Sequence, residues 1–138
     1  MIRVKVADAG IDVSYLPWKE DECTCVLIAP SADLFLTGPL NGCHVYIAEK
    51  PGFSPLAIHV NANRTPGLTG TLQKDRDAIN AATRDGYVLT LRLSAADYNA
   101  QGSNFVWGRP NSGGWKFFVH EVNRASGAFT NTRLQPLP

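Results

Sequence analysis

At 138 residues, 44% of them hydrophobic and 18% charged, the chain is sized for one folded domain that buries a core without staples. A formal net charge of +1 supplies no general pull toward nucleic acid or an anionic membrane, so neither is expected as a partner. Three cysteines are an odd number, which favours reduced thiols over a disulfide framework and places folding in a cytoplasm.

The opening Met1-Ile2-Arg3-Val4-Lys5-Val6 alternates as a strand does, and the expected strand covers residues 2–7. It lacks the apolar centre of a secretory leader, and no apolar run of membrane-spanning length follows. Val13 to Leu16 reads as a second strand, stopped by Pro17. Cys23 to Ala29 is a short apolar run between the acidic Glu20-Asp21-Glu22 and Pro30, which predicts a buried strand. Leu34 to Thr37 is brief and ends at the breaker pair Gly38-Pro39.

Two further runs, Cys43–Ala48 and Leu56–Ala62, are joined by a hairpin-sized loop. Asn63 to Gly70, with Pro66 and Gly67, reads as a loop. Thr71 then caps a helix over about 72–85, with Leu72, Asp75, Ile79 and Ala82 on one face and Gly86 in the C′ position. Tyr87 to Leu93 alternates as a half-buried strand, and Ser94 to Asn99 predicts a capped helical turn. Ser103–Gly108 and Trp115–Val122 flank the loop Arg109 to Gly114 as a hairpin. The tail, Ala125 to Pro138, has little periodicity and is expected to fray. The sum is a strand-rich α+β domain over 1–138, with mixed, sandwich-like sheets and one main helix.

The segment Leu34 to Asn63 holds the one pair of residues that reads as chemistry. A nucleophilic cysteine needs an accessible sulfur, a base and oxyanion donors. Cys43 follows Asn41-Gly42, where glycine permits a sharp turn and keeps bulk off the sulfur. The backbone N–H groups of Gly42, Cys43 or His44 and the Asn41 amide are the candidate oxyanion or substrate donors.

His59 is the candidate base. If the two runs pair antiparallel with Cys43 opposite His59, Ala48 faces Ser54 and a five-residue loop, Glu49 to Phe53, remains. Both side chains then leave one face, with Cβ atoms about 4.5–5.5 Å apart. Leu56, Ile58 and Val60 point into the core in this reading, and His59 shares the less apolar face with Ala57 and Asn61. Thr37, six residues before Cys43, is the candidate group that orients the imidazole. His44 falls on the opposite side of the strand from Cys43.

Leu40-Asn41-Gly42-Cys43, with His59 sixteen residues on, resembles the Leu-Ser-Gly-Cys signature of the cytotoxic-necrotizing-factor-like glutamine deamidases. Thr37 resembles the threonine of the chemoreceptor glutamine deamidases and of a related bacterial lethal factor. The resemblance runs from Phe35 to His59, and Asn41 stands where the toxins carry serine. It implies a Cys–His pair on a β-rich α+β fold that converts a protein glutamine to glutamate and needs no cofactor. It also implies a bacterial effector or toxin that reaches a host cell without a cleavable signal. Its protein substrate would then be a host target such as a Rho-family GTPase or a translation initiation factor.

Other readings compete. The same site chemistry serves a transglutaminase or a cysteine protease, and a non-catalytic β-rich binding module needs no site at all. Cys43 as a small buried hydrophobe and His59 as a core histidine are the structural alternatives. His120, in an amphipathic strand, reads as structural. Cys23-Thr24-Cys25 puts two sulfurs on one strand face, but the paired spacing of a zinc site is missing and no metal is expected. Trp107 and the Arg109–Gly114 loop are candidates for a substrate cleft, or for a plain connection.

Overall fold

A computed structural model describes residues 2–5, 11–19, 22–61, 67–94, 96–98 and 102–136. The strands are β1 (Ile2–Lys5), β2 (Asp12–Leu16), β3 (Cys23–Leu27), β4 (Leu34–Thr37), β5 (His44–Glu49) and β6 (Leu56–Val60). Helix α1 (Gly67–Arg84) follows, then β7 (Val88–Leu93), β8 (Ser103–Asn111), β9 (Gly114–Val122), β10 (Phe129–Arg133) and β11 (Gln135–Pro136). They form a six-stranded sheet, β1-β2-β4-β8-β9-β10, and a five-stranded sheet, β11-β7-β5-β6-β3. All pairs are antiparallel except β2 with β4. The expected strand-rich α+β fold, with one helix among the described residues, is the fold observed.

The two sheets close on one apolar core. Leu16, Phe35, Val106, Phe117 and Val119 of the six-stranded sheet meet Val26, Val45, Ile47, Ala57 and Leu93 of the other. Phe35 and Phe117 pack edge to face, with ring centroids 5.7 Å apart. The outer face of the five-stranded sheet carries a second cluster, in which Tyr46, Ile58 and Val60 lie against Ala78 and Ala82 of α1. Both faces of β5 and β6 are therefore buried.

Helix α1 starts at Gly67, so Thr71 lies inside it rather than at its cap, and Gly67 and Gly70, read as loop residues, are helical. A helical glycine costs about 1 kcal/mol against alanine; docking on the sheet offsets that. The buried face runs through Ala78 and Ala82, with Ile79 at 40% exposure turned outward, because small side chains let the helix sit close on the strands. At the other end Gly86 adopts φ +85°. Its N–H bonds the Thr83 carbonyl and the Tyr87 N–H bonds the Ala82 carbonyl, which completes a Schellman motif at the glycine expected there.

Other boundaries shift for identifiable reasons. β3 is an edge strand with Cys23, Cys25 and Leu27 exposed, not a buried one. In β7 the register slips between Ile47 and Ala48, leaving Thr90 as an extra residue. Leu89 therefore packs toward the helix and Leu91 toward the inter-sheet core, breaking the simple alternation. The long β8–β9 connection contracts to Ser112-Gly113, because Arg109, Pro110 and Asn111 continue the strand. Pro110 is tolerated because β4 pairs with β8 only at Trp107 and Gly108, leaving this stretch at a sheet edge.

The tail does not fray. β10 borders β9, Leu134 is buried between the sheets, and β11 borders β7. At Ser94 the described residues form a single turn and no regular helix: the Asp97 N–H bonds the Ser94 carbonyl, and the Asp97 carboxylate accepts from the Ser94 N–H and hydroxyl, as in a capped turn. Val6, Ala7, Ala62, Asn63 to Pro66, Asn99, Leu137 and Pro138 lie outside the described residues.

Candidate functional site

The β5–β6 register decides how the thiol and the imidazole meet. Val45 pairs with His59 and Ala48 with Leu56, two residues further along than the expected register. Pro55 accounts for the shift. It has no N–H for a ladder, and its carbonyl is taken by the Ile28 N–H. The Ser54 carbonyl is likewise taken by the Tyr87 hydroxyl. The hairpin therefore closes with a turn at Lys50-Pro51-Gly52-Phe53, with Gly52 at φ +79° and the Phe53 N–H bonded to the Lys50 carbonyl.

A shift of two keeps parity, so Cys43 and His59 still share a face. Asn61, not His59, lies across from Cys43, and its Nδ2 donates to the Cys43 Sγ at 3.4 Å. His59 is the diagonal neighbour. The shared face is also not the open one: it looks into the inter-sheet core, with Cys43 1% and His59 0% exposed.

Neither ring nitrogen of His59 has a hydrogen-bond partner among the described residues. Burial pushes its pKa down from 6.5 to about 4, so the imidazole is neutral at pH 7, and neither of its nitrogens is hydrogen-bonded to the Cys43 sulfur. Thr37 does not orient it. The Thr37 hydroxyl donates to the Gly38 carbonyl and accepts from the Val106 N–H, bracing β4 against β8 where the strands diverge.

The motif loop has the shape expected of it. Gly42 sits at φ +85° with open space where a Cβ would be, and Asn41 and Gly42 are exposed. The backbone of Cys43 is already engaged, however. The Tyr98 hydroxyl accepts from the Cys43 N–H at 2.7 Å and donates to the Cys43 carbonyl at 2.9 Å. Burial, and then the charge Cys43 would carry, push the Tyr98 pKa up to about 12, so this hydroxyl keeps its proton. Sequence reading missed Tyr98 because it lies 55 residues from Cys43 on a loop without a motif.

His44 turns to the other side of β5, as alternation requires. Its Nδ1 lies 3.2 Å from Asp75 Oδ1 of α1, and its ring packs edge-on to Tyr46. Burial and the Asp75 carboxylate both raise the Tyr46 pKa. The pair fastens helix to sheet, and the His44 ring does not line the thiol.

A cleft of about 580 Å³ opens beside the motif loop, walled by Leu36, Thr37, Leu40, Asn41 and Phe105, with Arg124 at its rim. The sulfur and the imidazole do not line it. The Arg109–Gly114 stretch lies at the other end of the sandwich: Pro110, Gly113 and Gly114 share a cleft of about 890 Å³ with the Glu49–Pro55 loop. Trp107 stacks on Phe118, with centroids 4.6 Å apart. No group of three or more His, Cys, Asp or Glu among the described residues is arranged to hold a metal. No described helix is long and apolar enough to cross a membrane. Compared with known proteins, the chain matches no family model and no curated sequence.

Proposed function

We propose that the chain is a cysteine-dependent protein-glutamine deamidase whose resting form is closed. The observation that carries this reading is the unbonded His59 imidazole. A buried polar group without a partner costs about 1–3 kcal/mol, and this one lies on the same strand face as the sulfur of a Leu-Asn-Gly-Cys loop. An apolar residue there serves a purely structural core better.

In the proposed reaction His59 takes the Cys43 proton and the thiolate attacks the carboxamide carbon of a substrate glutamine. The tetrahedral oxyanion is met by backbone N–H groups at Gly42 and Cys43 and by the Asn41 amide. His59 returns the proton to the departing ammonia. Water, deprotonated by His59, then cleaves the thioester to leave glutamate and the free thiol. Tyr98 must leave the Cys43 backbone before that N–H serves the oxyanion. The role as a bacterial effector acting on a host protein follows from the motif resemblance.

The test is ammonia release and a glutamine-to-glutamate mass change on proteins of a host lysate. Cys43→Ala and His59→Ala are expected to lower the rate at least about 100-fold. Equal turnover by either variant would refute the proposal.

A second reading, a non-catalytic binding module, is favoured by the sealed sulfur and by the two bonds that occupy the Thr37 hydroxyl. Alkylation at pH 6 separates the two readings. Labelling of Cys43 faster than global unfolding marks a closed site that opens to its substrate, and labelling only on global unfolding marks a core residue.

A further inference from the structure

The outer face of the six-stranded sheet over β8, β9 and β10 has no helix over it among the described residues. Strand alternation turns two kinds of side chain outward there. The first is aromatic. Phe105 pairs with His120 at a centroid distance of 4.9 Å, and His120 meets Phe129 at 5.3 Å. Two residues along the strands, Trp107 stacks on Phe118. The second kind is cationic: Arg109 opposite Lys116 on the next rung, and Arg133 opposite Phe118.

The rings are fixed in advance. Asn131 Oδ1 accepts from Trp107 Nε1 and lies 2.9 Å from His120 Nδ1, so one amide holds members of two rungs. Phe129 keeps 65% exposure, and the other four rings are partly exposed. No Asp or Glu occupies an outward position on these three strands; Glu121 alternates to the reverse side, in reach of the Thr130 hydroxyl. A net charge of +1 over the whole chain conceals this separation.

We propose that this face binds single-stranded nucleic acid, bases against the ring rungs and phosphates along Arg109, Lys116 and Arg133. An acidic peptide matches the cations but leaves the rings without work, whereas every base has a face to stack. Rungs two residues apart repeat at about 6.6 Å, about twice the 3.4 Å rise of a stacked nucleotide. Successive bases are thus spread onto separate rungs, which a single strand permits and a duplex does not. The inference is independent of the thiol chemistry.

Fluorescence anisotropy with labelled oligo(dT) and oligo(U) of about twelve nucleotides, titrated with the full chain, tests it. Contact with about three phosphates gives a salt slope near about −2, so a fourfold rise in salt weakens binding about sixteenfold. The Arg109→Glu/Lys116→Glu chain is expected to bind at least about tenfold more weakly with a shallower slope. Phe129→Ala, an exposed position that leaves the core intact, is expected to lose about tenfold with the slope unchanged. Binding that ignores both substitutions overturns the proposal, as does no binding at low salt. A poly-glutamate peptide that binds where the oligonucleotide does not also overturns it, in favour of an acidic protein partner.

Discussion

A neutral imidazole with no bonded nitrogen is protonated only at the fold's expense, and that sets a pH signature. The His59 pKa stands at about 4 when folded, against 6.5 when free. Its contribution is intact above pH 6.5 and drains away as pH falls through that window, because the unfolded chain takes up the proton first. The full shift corresponds to about 3 kcal/mol. Urea midpoints measured against pH are expected to fall over this range in the parent and to fall less in His59→Leu. At pH 7 the leucine variant is expected to be at least as stable as the parent, since it removes an unbonded polar group. Tyr98→Phe acts in the opposite sense. It strands the buried N–H and carbonyl of Cys43, at a cost of about 1–3 kcal/mol in denaturant unfolding, and it is expected to speed alkylation of Cys43. Of these residues, Cys43, Gly42 and His59 were legible because a short motif and strand parity mark them. Tyr98 and Asn61 were not, because their meeting with Cys43 is set by packing. The Thr37 hydroxyl answers to β8, a strand nearly 70 residues on, which no local spacing reveals.

Each strand inherits its neighbours from backbone details that periodicity under-reports. The expected register of the β5–β6 hairpin is two residues out because it sets Pro55, which has no N–H to give, in the ladder opposite Ile47, where the structure has Ala57. The slip at Thr90 hides in a run that alternates cleanly on paper. Helix α1 was recognised by its C-terminal glycine, whereas its start lies inside a glycine-bearing stretch that docking overrides. Gly108 shows how tightly β8 and β9 are matched. A Cβ there would lie 2.6 Å from Phe117 Cδ1 and 3.2 Å from the Lys116 carbonyl. The Phe117 ring is buried on the inter-sheet core and has nowhere to retreat. Gly108→Ala is therefore expected to lower stability by about 1–3 kcal/mol, measured by urea unfolding. Gly113→Ala, in open space but at φ +80°, is expected to cost about 1 kcal/mol from backbone strain alone.

At the scale of the whole molecule, the class of fold was legible from many short alternating runs and one capped helix. The closure of the sandwich was not, because it depends on a tail whose strands carry no apolar period of their own. Every described β10 residue is exposed, and the strand is defined by its ladder to β9. Leu134 is the exception, buried in the core as the chain passes from one sheet to the other, with its N–H on the Phe117 carbonyl. Leu134→Ala is expected to cost about 2–5 kcal/mol in the same unfolding measurement, with both sheets losing hydrogen-exchange protection together. The crossing at Leu134 also fixes an order of events during synthesis. While residues 129–136 are still inside the ribosome, a nascent polypeptide has neither β10 to border β9 nor β11 to border β7. Two unfinished sheet borders are then exposed at once, an interval of raised aggregation risk.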